Sequence, residues 1–179
     1  MNFDNKPKIS LNNMNFEKLF KMGLDRNLPA LLDPKEGPSI GLGESGSKRW
    51  GHMGLGLPDW VWPRDNIPAK DDSVAIVHAY HFMEHLTGEE AIQLLAEVER
   101  VLMPGGIFQF CIPYAKAEIA FQDLTHKSFW TESSFRMLMQ NPYYDPSNRG
   151  QPWRLRQHYL VIAGIVERNL CLLGQLVKE

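Results

Sequence analysis

Residues 71–113 read DDSVAIVHAYHFMEHLTGEEAIQLLAEVERVLMPGGIFQFCIP, and this stretch decides the fold. It opens with a turn signal, and the apolar, β-branched run Val74–Ala79 that follows predicts a buried strand. Residues 107–113 form a second apolar run, which predicts another strand. The chain between the two runs is long enough for a helix.

That predicted helix carries its own start and stop signals. Thr87 stands at the N-cap position and Glu90 follows three residues later, which is the capping-box pattern. The PGG of residues 104–106 predicts the end of the helix. Apolar side chains recur at helical spacing, at Ile92, Leu95, Val98 and Leu102. Strand, helix and strand at this spacing predict a right-handed crossover between parallel strands.

Upstream of this unit, residues 15–32 place Phe16, Phe20 and Leu24 on one helical face and break at Pro29. We therefore interpret residues 1–37 as an N-terminal helical cap and residues 38–179 as one α/β domain.

A glycine-rich loop is predicted next. The sequence SIGLGESG, residues 39–46, predicts a brief strand that runs into a loop containing Gly41, Gly43 and Gly46. Residues 48–70 are dense in Gly, Pro and Trp, which argues against a long helix there.

Downstream of Pro113, residues 115–140 predict two short helices with a polar junction at 123–127. The second helix is capped by Thr131 or Ser133. Residues 153–179 predict either one or two closing strands or a strand and a helix.

The composition limits the class of protein. The chain has 179 residues, of which 44% are hydrophobic, which is enough for one domain with a sizeable core. The formal net charge is −2, and no clear nucleic-acid patch stands out. We find no signal peptide and no membrane span, which predicts a soluble, cytoplasmic protein. Cys111 and Cys171 lie in separate apolar runs and are predicted to be reduced core residues.

The order of these motifs resembles the class I S-adenosylmethionine-dependent methyltransferases. The run GLGESG, the run IPAKDDSVAIVHAYHFMEHL and the run EVERVLMPGGIFQFCIPY match, in order and spacing, the glycine loop, the "EHL" turn and the "PGG" helix exit of that class. The resemblance is closest to small "EHL" type members, including compact phage-encoded ones that continue with a segment like FQDLTHKSFWTE. It implies a shortened, mostly parallel Rossmann-like sheet, S-adenosylmethionine as cofactor and methyl transfer to an unidentified acceptor.

The resemblance also implies which residues hold the cofactor. The residues implied near the methionine part are Gly41, Gly43 and Glu44. Asp65 and Ile67 are implied near the adenine, and Tyr80 and His81 on the methionine and sulfonium side. The alternative for Tyr80 is simple core packing.

Three positions depart from the pattern of the class. The acidic residue that binds the ribose in this class is replaced by Gly56, and Asp59 could take over its role. The acidic position at the end of the first strand is Ser39. The acidic position in the next strand of the pattern is Ala75. A missing charge-assisted hydrogen bond costs about 1.5–3 kcal/mol. These departures predict weaker cofactor binding.

Acceptor handling is predicted to fall on Tyr114, Asp123 and His126. Tyr114 ends the second strand of the crossover, and a histidine is the side chain best suited to act as base near neutral pH. The alternative is that Asp123 and His126 only tie down a helix junction.

Two other functions compete with methyl transfer. His81, Glu84 and His85 match H-x-x-E-H, an inverted zinc-protease signature. A new helix is predicted only after His85, so we expect no metal site. The second competitor is a binding or assembly module in which Trp50, Trp60 and Trp62 form an interface instead of packing as core. An exposed strand edge would also allow a homo-oligomer.

Overall fold

The computed structural model describes residues 35–43, 53–144, 153–163 and 169–179. These residues form an α/β fold around one six-stranded sheet, as the sequence predicts. The strands are β1 (Ser39–Leu42), β2 (Met53–Leu55), β3 (Val74–Tyr80), β4 (Leu102–Pro113), β5 (Leu155–Ala163) and β6 (Cys171–Lys178). The helices are α1 (Gly88–Val101) and α2 (Glu132–Gln140), with short 3₁₀ helices at Met83–His85, Glu118–Ala120 and Pro142–Tyr144.

The sheet is mostly parallel. Its strand order is β2-β1-β3-β4-β6-β5. Strands β1 to β4 pair in parallel, and β6 pairs antiparallel with both β4 and β5. The chain leaves β1 toward β2 and then crosses to the other side of β1 to form β3. The direction of winding therefore reverses between β1 and β3, and such a reversal leaves a crevice at the carboxyl ends of the two strands.

The predicted crossover is confirmed. Strand β3 begins at Val74 and runs one residue beyond the predicted end. The Thr87 side chain accepts from the backbone N–H of Glu90, and the Glu90 carboxylate accepts from the N–H of Thr87, which completes the capping box. Both ends of that box are made from residues within one turn, which is why the sequence alone was sufficient to locate it.

The end of α1 differs from the prediction. The helix ends at Val101, and β4 starts directly at Leu102, so the PGG lies inside the strand. Leu102 pairs with Val74, and pairing resumes only at Ile107 with Ile76, so β4 contains an irregularity around Gly105, whose φ is +76°. Pairing with β3 stops the helix early because Leu102 extends to meet Val74.

One face of the sheet packs against the helices in a continuous core. Fully buried side chains from β4, including Phe108, Phe110 and Ile112, meet the buried face of α1. The ring of Phe110 stacks on Phe135 of α2, with centroids 4.5 Å apart. The second predicted helix is thereby confirmed as α2, and its N-cap is Thr131 rather than Ser133.

The first of the two helices predicted after Pro113 is wrong. Only a 3₁₀ turn forms, at Glu118–Ala120. The chain that follows is held as a loop because the N–H groups of Lys127 and Ser128 both donate to the carbonyl of Glu84. The C-terminal alternatives resolve as two strands, β5 and β6, in antiparallel pairing.

The tryptophans that we considered as an interface are packed inward. Trp60 is 6% exposed, and Trp62 packs against the core. The rings of Trp60 and Trp62 stack on each other, with centroids 6.1 Å apart. Their indole N–H groups donate to the carbonyls of Asn66 and Glu90. Trp50, like the predicted helix at 15–32, Glu44 and Gly46, lies outside the described residues. Residues 53–70 contain the short strand β2 and no helix.

Candidate functional site

The carboxyl ends of β1 and β3 meet at the reversal of the strand order. Gly43 follows β1 directly, with φ +80°, and its N–H donates to the carbonyl of Leu55 in β2. A Cβ at Gly43 would lie 2.9 Å from Cδ2 of Phe82, which stands two residues after β3. The turn after β1 and the turn after β3 are therefore in contact, and this is the place where an open parallel sheet binds ligands.

Two predicted positions need correction. Gly41 is not in the loop but is the third residue of β1, where it pairs with Gly54 on one side and His78 on the other. Ser39 begins β1 and does not end it. Both errors have one cause: strand β1 is only four residues long, and hydrogen bonding to two neighbours fixes its register in a way that its few apolar residues cannot signal. The loop proper begins at Gly43.

Tyr80 ends β3 with its side chain half-buried and its hydroxyl in a polar chain. Gln109 Nε2 lies 2.5 Å from the Tyr80 hydroxyl, and His78 Nδ1 lies 3.0 Å from it. Gln175 Nε2 donates in turn to Gln109 Oε1 at 2.7 Å. Polar neighbours on the sheet therefore hold the Tyr80 hydroxyl, so its role is more than apolar packing. Its ring lies at the carboxyl edge of the sheet.

His81 is held in a strained conformation directly after β3. Its φ is +50°, in the left-handed region that residues other than glycine rarely adopt. Its Nδ1 lies 3.1 Å from Glu84 Oε1, and its Nε2 lies 3.8 Å from Cys111 Sγ. Burial disfavours the protonated ring, but hydrogen bonds to Cys171 and Glu84 outweigh that effect and raise the pKa of His81 to about 10.

Cys111 and Cys171 are free thiols, and both are buried, as predicted. They lie on neighbouring strands, since Cys171 pairs with Pro113, two residues beyond Cys111. A hydrogen bond with Cys171, together with burial, raises the pKa of Cys111. The hydrogen bond from Cys111, and a second from His81, lower the pKa of Cys171 to about 6 against the opposing effect of burial. The sequence did not predict that the two thiols lie side by side.

Glu84 is a buried carboxylate in the turn between β3 and α1. It is 1% exposed. Its Oε1 accepts from His81, while its Oε2 has no hydrogen-bond partner among the described residues. A buried carboxylate oxygen without a partner costs free energy, so this atom marks a position where a further group is expected.

His126 and Asp123 lie in the loop that covers this turn. His126 Nδ1 is 2.8 Å from the carbonyl of Ala120, so Nδ1 carries the proton and Nε2 is left as the acceptor. Asp123 accepts from the N–H and the hydroxyl of Thr125 and lies 4.0 Å from His126 Nε2. Hydrogen bonds with Thr125 lower the pKa of Asp123. These contacts fit the alternative in which both residues tie down the loop, and the remaining imidazole nitrogen, on a side chain that is 7% exposed, faces the Asp123 carboxylate.

The loop brings His126 to the same carboxylate as His81. Ligand atoms of Glu84, His85 and His126 lie within 4.8 Å of one another, and the rings of His85 and His126 meet edge to face at 5.0 Å. The two histidines of the H-x-x-E-H match thus belong to different clusters. The turn at Met83–His85 is a single 3₁₀ turn, so the sustained helix that a zinc protease needs is missing here.

Tyr114 follows β4 and is buried. Its hydroxyl donates to Glu132 Oε2 at 3.3 Å, and its backbone bridges to Trp130. It thereby joins the carboxyl end of β4 to the first turn of α2. A cavity of about 620 Å³ lies beyond this contact, between α2 and β5, and none of the predicted site residues lines it.

The residues predicted for the adenosine side lie in the loop between β2 and β3. Asp59 is exposed on a turn four residues after β2 ends. Asp65 accepts from the N–H of Val61 and pairs with Arg64, and these contacts lower its pKa. Ile67 is 1% exposed, and its N–H donates to Glu97 in the second half of α1. No described contact joins these residues to the Gly43 turn, and Glu44 lies outside the described residues.

The two remaining departures are placed as expected. Gly56 comes directly after β2, and Ala75 is fully buried in β3.

Sequence reasoning missed Glu84, Cys111 and Cys171 as members of the site. The signal for Glu84 was present, because an acidic residue directly after an apolar strand and its turn lies at the carboxyl edge of a parallel sheet. The cysteines gave none, because their proximity depends on the pairing of β4 with β6.

Comparison with known proteins agrees with this geometry. A family model described as a methyltransferase domain matches residues 63–110, which include β3, α1 and most of β4. No curated protein matches the chain.

Several solved structures share the fold at low sequence identity. A SAM-dependent methyltransferase from Thermotoga maritima has 13% identity and a TM-score of 0.53, over 81% of this chain and 84% of that chain. The protein in complex with the Haloferax volcanii Trm112 methyltransferase activator has 15% identity and a TM-score of 0.53, over 81% of this chain and 84% of that chain. A third structure is the Burkholderia thailandensis 1,6-didemethyltoxoflavin-N1-methyltransferase with 1,6-didemethyltoxoflavin and S-adenosylhomocysteine bound. It has 13% identity and a TM-score of 0.53, over 79% of this chain and 72% of that chain.

These structures confirm the predicted Rossmann-like fold. The family model supports methyl transfer as the reaction and S-adenosylmethionine as the cofactor. The matched segment is thus similar to a methyltransferase domain, and the chain has the fold of S-adenosylmethionine-dependent methyltransferases.

Proposed function

We propose that this chain transfers a methyl group from S-adenosylmethionine to an acceptor that binds at the carboxyl edge of the sheet, between the Gly43 turn and the loop that carries His126. The domain spans residues 38–179, with residues 1–37 as an N-terminal cap, and it acts in the cytoplasm. In the described residues no helix is long and apolar enough to cross a membrane.

One observation carries the proposal. The Gly43 turn contacts Phe82 at the point where the order of the strands reverses, so the ends of β1 and β3 form a single crevice. Gly43 adopts a conformation that favours glycine, and it is exposed. A backbone without a side chain at this position lets a nucleotide-like ligand approach closely. The residues present therefore fit the cofactor.

The cofactor would be held by backbone and aromatic groups around this crevice. Gly41 lies in β1 between β2 and β3, and the turn at Gly43 would lie against the methionine part of the cofactor. The Tyr80 ring stands at the sulfonium side, where an aromatic face attracts a cation. His81 lines the same side. Glu44 belongs with them on the methionine side. Asp65 and Ile67 remain the proposed adenine side, and Asp59 remains the proposed substitute for the acidic ribose partner.

S-adenosylmethionine supplies an activated methyl group when it is bound. The contribution of the chain is to align the acceptor and exclude water, which accounts for much of the acceleration in such transfers. Tyr114, tied to Glu132, fixes the end of β4 beside the acceptor. His126 is oriented by the carbonyl of Ala120, so its Nε2 is free to take a proton from an acceptor that must lose one. The Asp123 carboxylate lies 4.0 Å from the same His126 nitrogen.

Titration calorimetry with S-adenosylmethionine and with S-adenosylhomocysteine tests the proposal. We expect a heat of binding and a thermal stabilisation with both ligands. Absence of heat and of any thermal shift at millimolar ligand would contradict the proposal and favour the binding or assembly module, for which the losses at Gly56 and Ala75 provide the motive.

The role of His126 has a separate test. His126→Asn keeps an amide donor near the position of Nδ1 for the Ala120 carbonyl but lacks a basic nitrogen. We expect turnover to fall while binding of S-adenosylmethionine stays unchanged. If turnover of the acceptor is the same as in the wild type at every pH, His126 ties down the loop and is not the base.

Assembly is the last part of the proposal. Strand β5 forms one outer edge of the described sheet and is nine residues long, and an edge strand of this length can pair with a second copy. The Haloferax relative is found with an activator protein, which makes a different protein the alternative partner. Light scattering at several protein concentrations measures the mass, and a strict monomer would contradict the homo-oligomer.

A further inference from the structure

We propose that His81, Cys111 and Cys171 form a site for a zinc ion at the carboxyl edge of the sheet. The inference shares His81 with the proposed cofactor crevice, but it rests on the two thiols and on Glu84, which the proposed methyl transfer does not use. Sequence reasoning did not connect these three residues, which come from three separate segments: the end of β3, the end of β4 and the start of β6. Only the pairing of these strands brings them together.

The spacing of the three ligand atoms fits a tetrahedral ion. One atom from each residue can be chosen so that all three lie within 4.8 Å of one another, and His81 Nε2 lies 3.8 Å from Cys111 Sγ. Zinc bonds to sulfur and nitrogen at ordinary lengths place neighbouring tetrahedral ligands about 3.6–3.8 Å apart. Little movement is therefore needed to bring the atoms into ligation. Two thiolates and an imidazole favour zinc over magnesium or calcium, which prefer oxygen.

The second ring nitrogen of His81 is already bound in the manner of a zinc ligand. Its Nδ1 lies 3.1 Å from Glu84 Oε1, and a carboxylate only accepts, so Nδ1 donates and Nε2 is left facing the thiols. Metal-bound histidines usually donate their other N–H to a carboxylate or carbonyl in this way. The left-handed backbone at His81 is the strain that holds the ring in this orientation.

Glu84 supplies an independent observation. It is 1% exposed, yet its Oε2 has no hydrogen-bond partner among the described residues. A carboxylate is costly to bury without compensation, and a nearby cation supplies it. The unsatisfied oxygen beside His81 is what a metal site without its ion would leave.

Three ligands come from the part of the chain that the structure describes, which leaves a fourth position on the ion. Both cysteines are nearly inaccessible, at 5% and 3% exposure, whereas the His81 side chain is 32% exposed. Solvent therefore reaches the cluster from the His81 side, which faces the crevice at the end of β3. Zinc sites with three protein ligands bind water or another exchangeable ligand in the fourth position.

A disulfide between Cys111 and Cys171 is the competing explanation for the close thiols. Cobalt(II) titration of reduced, tag-free protein without oxygen distinguishes the two, because thiolate-to-cobalt absorption in the near ultraviolet reports sulfur ligands. We expect this band to saturate at one cobalt per chain and to be displaced by one zinc. Cys111→Ser and Cys171→Ser should each weaken zinc binding at least tenfold, which is about 1.4 kcal/mol. His158→Gln, which removes a histidine from β5, should bind as the wild type does.

Absence of the band in the reduced wild type, or a band that survives both serine substitutions, overturns the proposal. A second measurement needs no variant: zinc should slow alkylation of both thiols in the folded wild-type chain. Equal rates with and without zinc overturn the proposal even if the serine variants fail to fold. Neither experiment uses S-adenosylmethionine, so failure here leaves the proposed methyl transfer standing.

Discussion

Gly43 and Phe82 stand in contact across the crevice, and a Cβ on Gly43 would lie 2.9 Å from Phe82 Cδ2. One residue follows the first strand of the sheet, and the other follows the third. The contact therefore fixes the relative height of the two turns that form the proposed cofactor site. Glycine is needed at position 43 for two reasons. Its φ is +80°, and Phe82 occupies the space that a side chain would take.

Gly43→Val should weaken binding of S-adenosylmethionine by roughly tenfold or more, which is at least about 1.4 kcal/mol. The valine is strained in a left-handed backbone, at roughly 1–2 kcal/mol, and also displaces the Phe82 ring. Calorimetry measures the affinity. Gly88→Ala is the matched control, because an added Cβ there meets nothing within 4 Å. Equal affinity of Gly43→Val and the control would contradict the assignment of the crevice.

Gly174→Ala should destabilise the fold by about 1–3 kcal/mol, the usual cost of overpacking a core. The new Cβ would lie 2.8 Å from Phe110 Cε1 and closer still to Cζ. Phe110 is fully buried and stacked on Phe135, so the ring has little room to move. Urea unfolding measures the change. A midpoint equal to that of the wild type would show that the strand pair relaxes around the extra methyl group.

Thr87→Ala should cost about 1 kcal/mol, because it removes the side-chain oxygen that caps the N–H of Glu90. Thr87→Ser keeps that oxygen and should stay within a few tenths of a kcal/mol of the wild type. Thermal and urea unfolding compare the two variants. A loss of the same size in both would mean that the Thr87 methyl group, and not the cap, stabilises α1.

Arg100→Lys should loosen the loop before β3. The guanidinium donates to Glu97 and Asp71 and to the backbone carbonyls of Ile67 and Ala69, so it fastens the loop to α1. A lysine is a point charge and cannot make these bonds together. We expect faster amide exchange at Ile67, whose N–H donates to Glu97. Exchange at Val98 serves as the internal control, and unchanged exchange at Ile67 would contradict this role.

Asp72→Asn should lower stability at neutral pH but not at low pH. The hydrogen bond from Lys178, at 2.6 Å, is the main cause that holds the pKa of Asp72 below its ordinary value. The stabilisation is therefore present above the unfolded-state pKa of about 3.9 and is lost as the pH falls through the lower folded-state pKa. Asparagine tolerates the φ of +54° at this position as well as aspartate does.

Urea unfolding of Asp72→Asn at pH 7 and pH 3 gives the comparison. The difference from the wild type should be clear at pH 7 and much smaller at pH 3. Asp59→Asn removes an exposed charge without a described hydrogen-bond partner and should show neither effect. A difference that is the same at both pH values would mean that the charge of Asp72 plays no part.

Local signals were sufficient for the central crossover. The strand Val74–Tyr80, the capping box at Thr87 and the strand that ends at Pro113 were all predicted, because each depends on residues that lie within a turn or alternate along one strand. The errors lie where two segments compete. Pairing with Val74 ends α1 before the PGG, and contact with the Glu84 carbonyl keeps a predicted helix as a loop.

The sequence by itself determined the parallel crossover and the glycine turn, because these depend on the order and spacing of nearby residues. Its resemblance to the class I methyltransferases implied the class of cofactor. Tertiary structure alone decided that His81, Glu84, Cys111 and Cys171 share one site and that His126 lies beside the same carboxylate. The physical reason is strand pairing. The register of β4 against β6, which places Pro113 opposite Cys171, sets distances between residues some sixty positions apart. No local pattern of side chains encodes them.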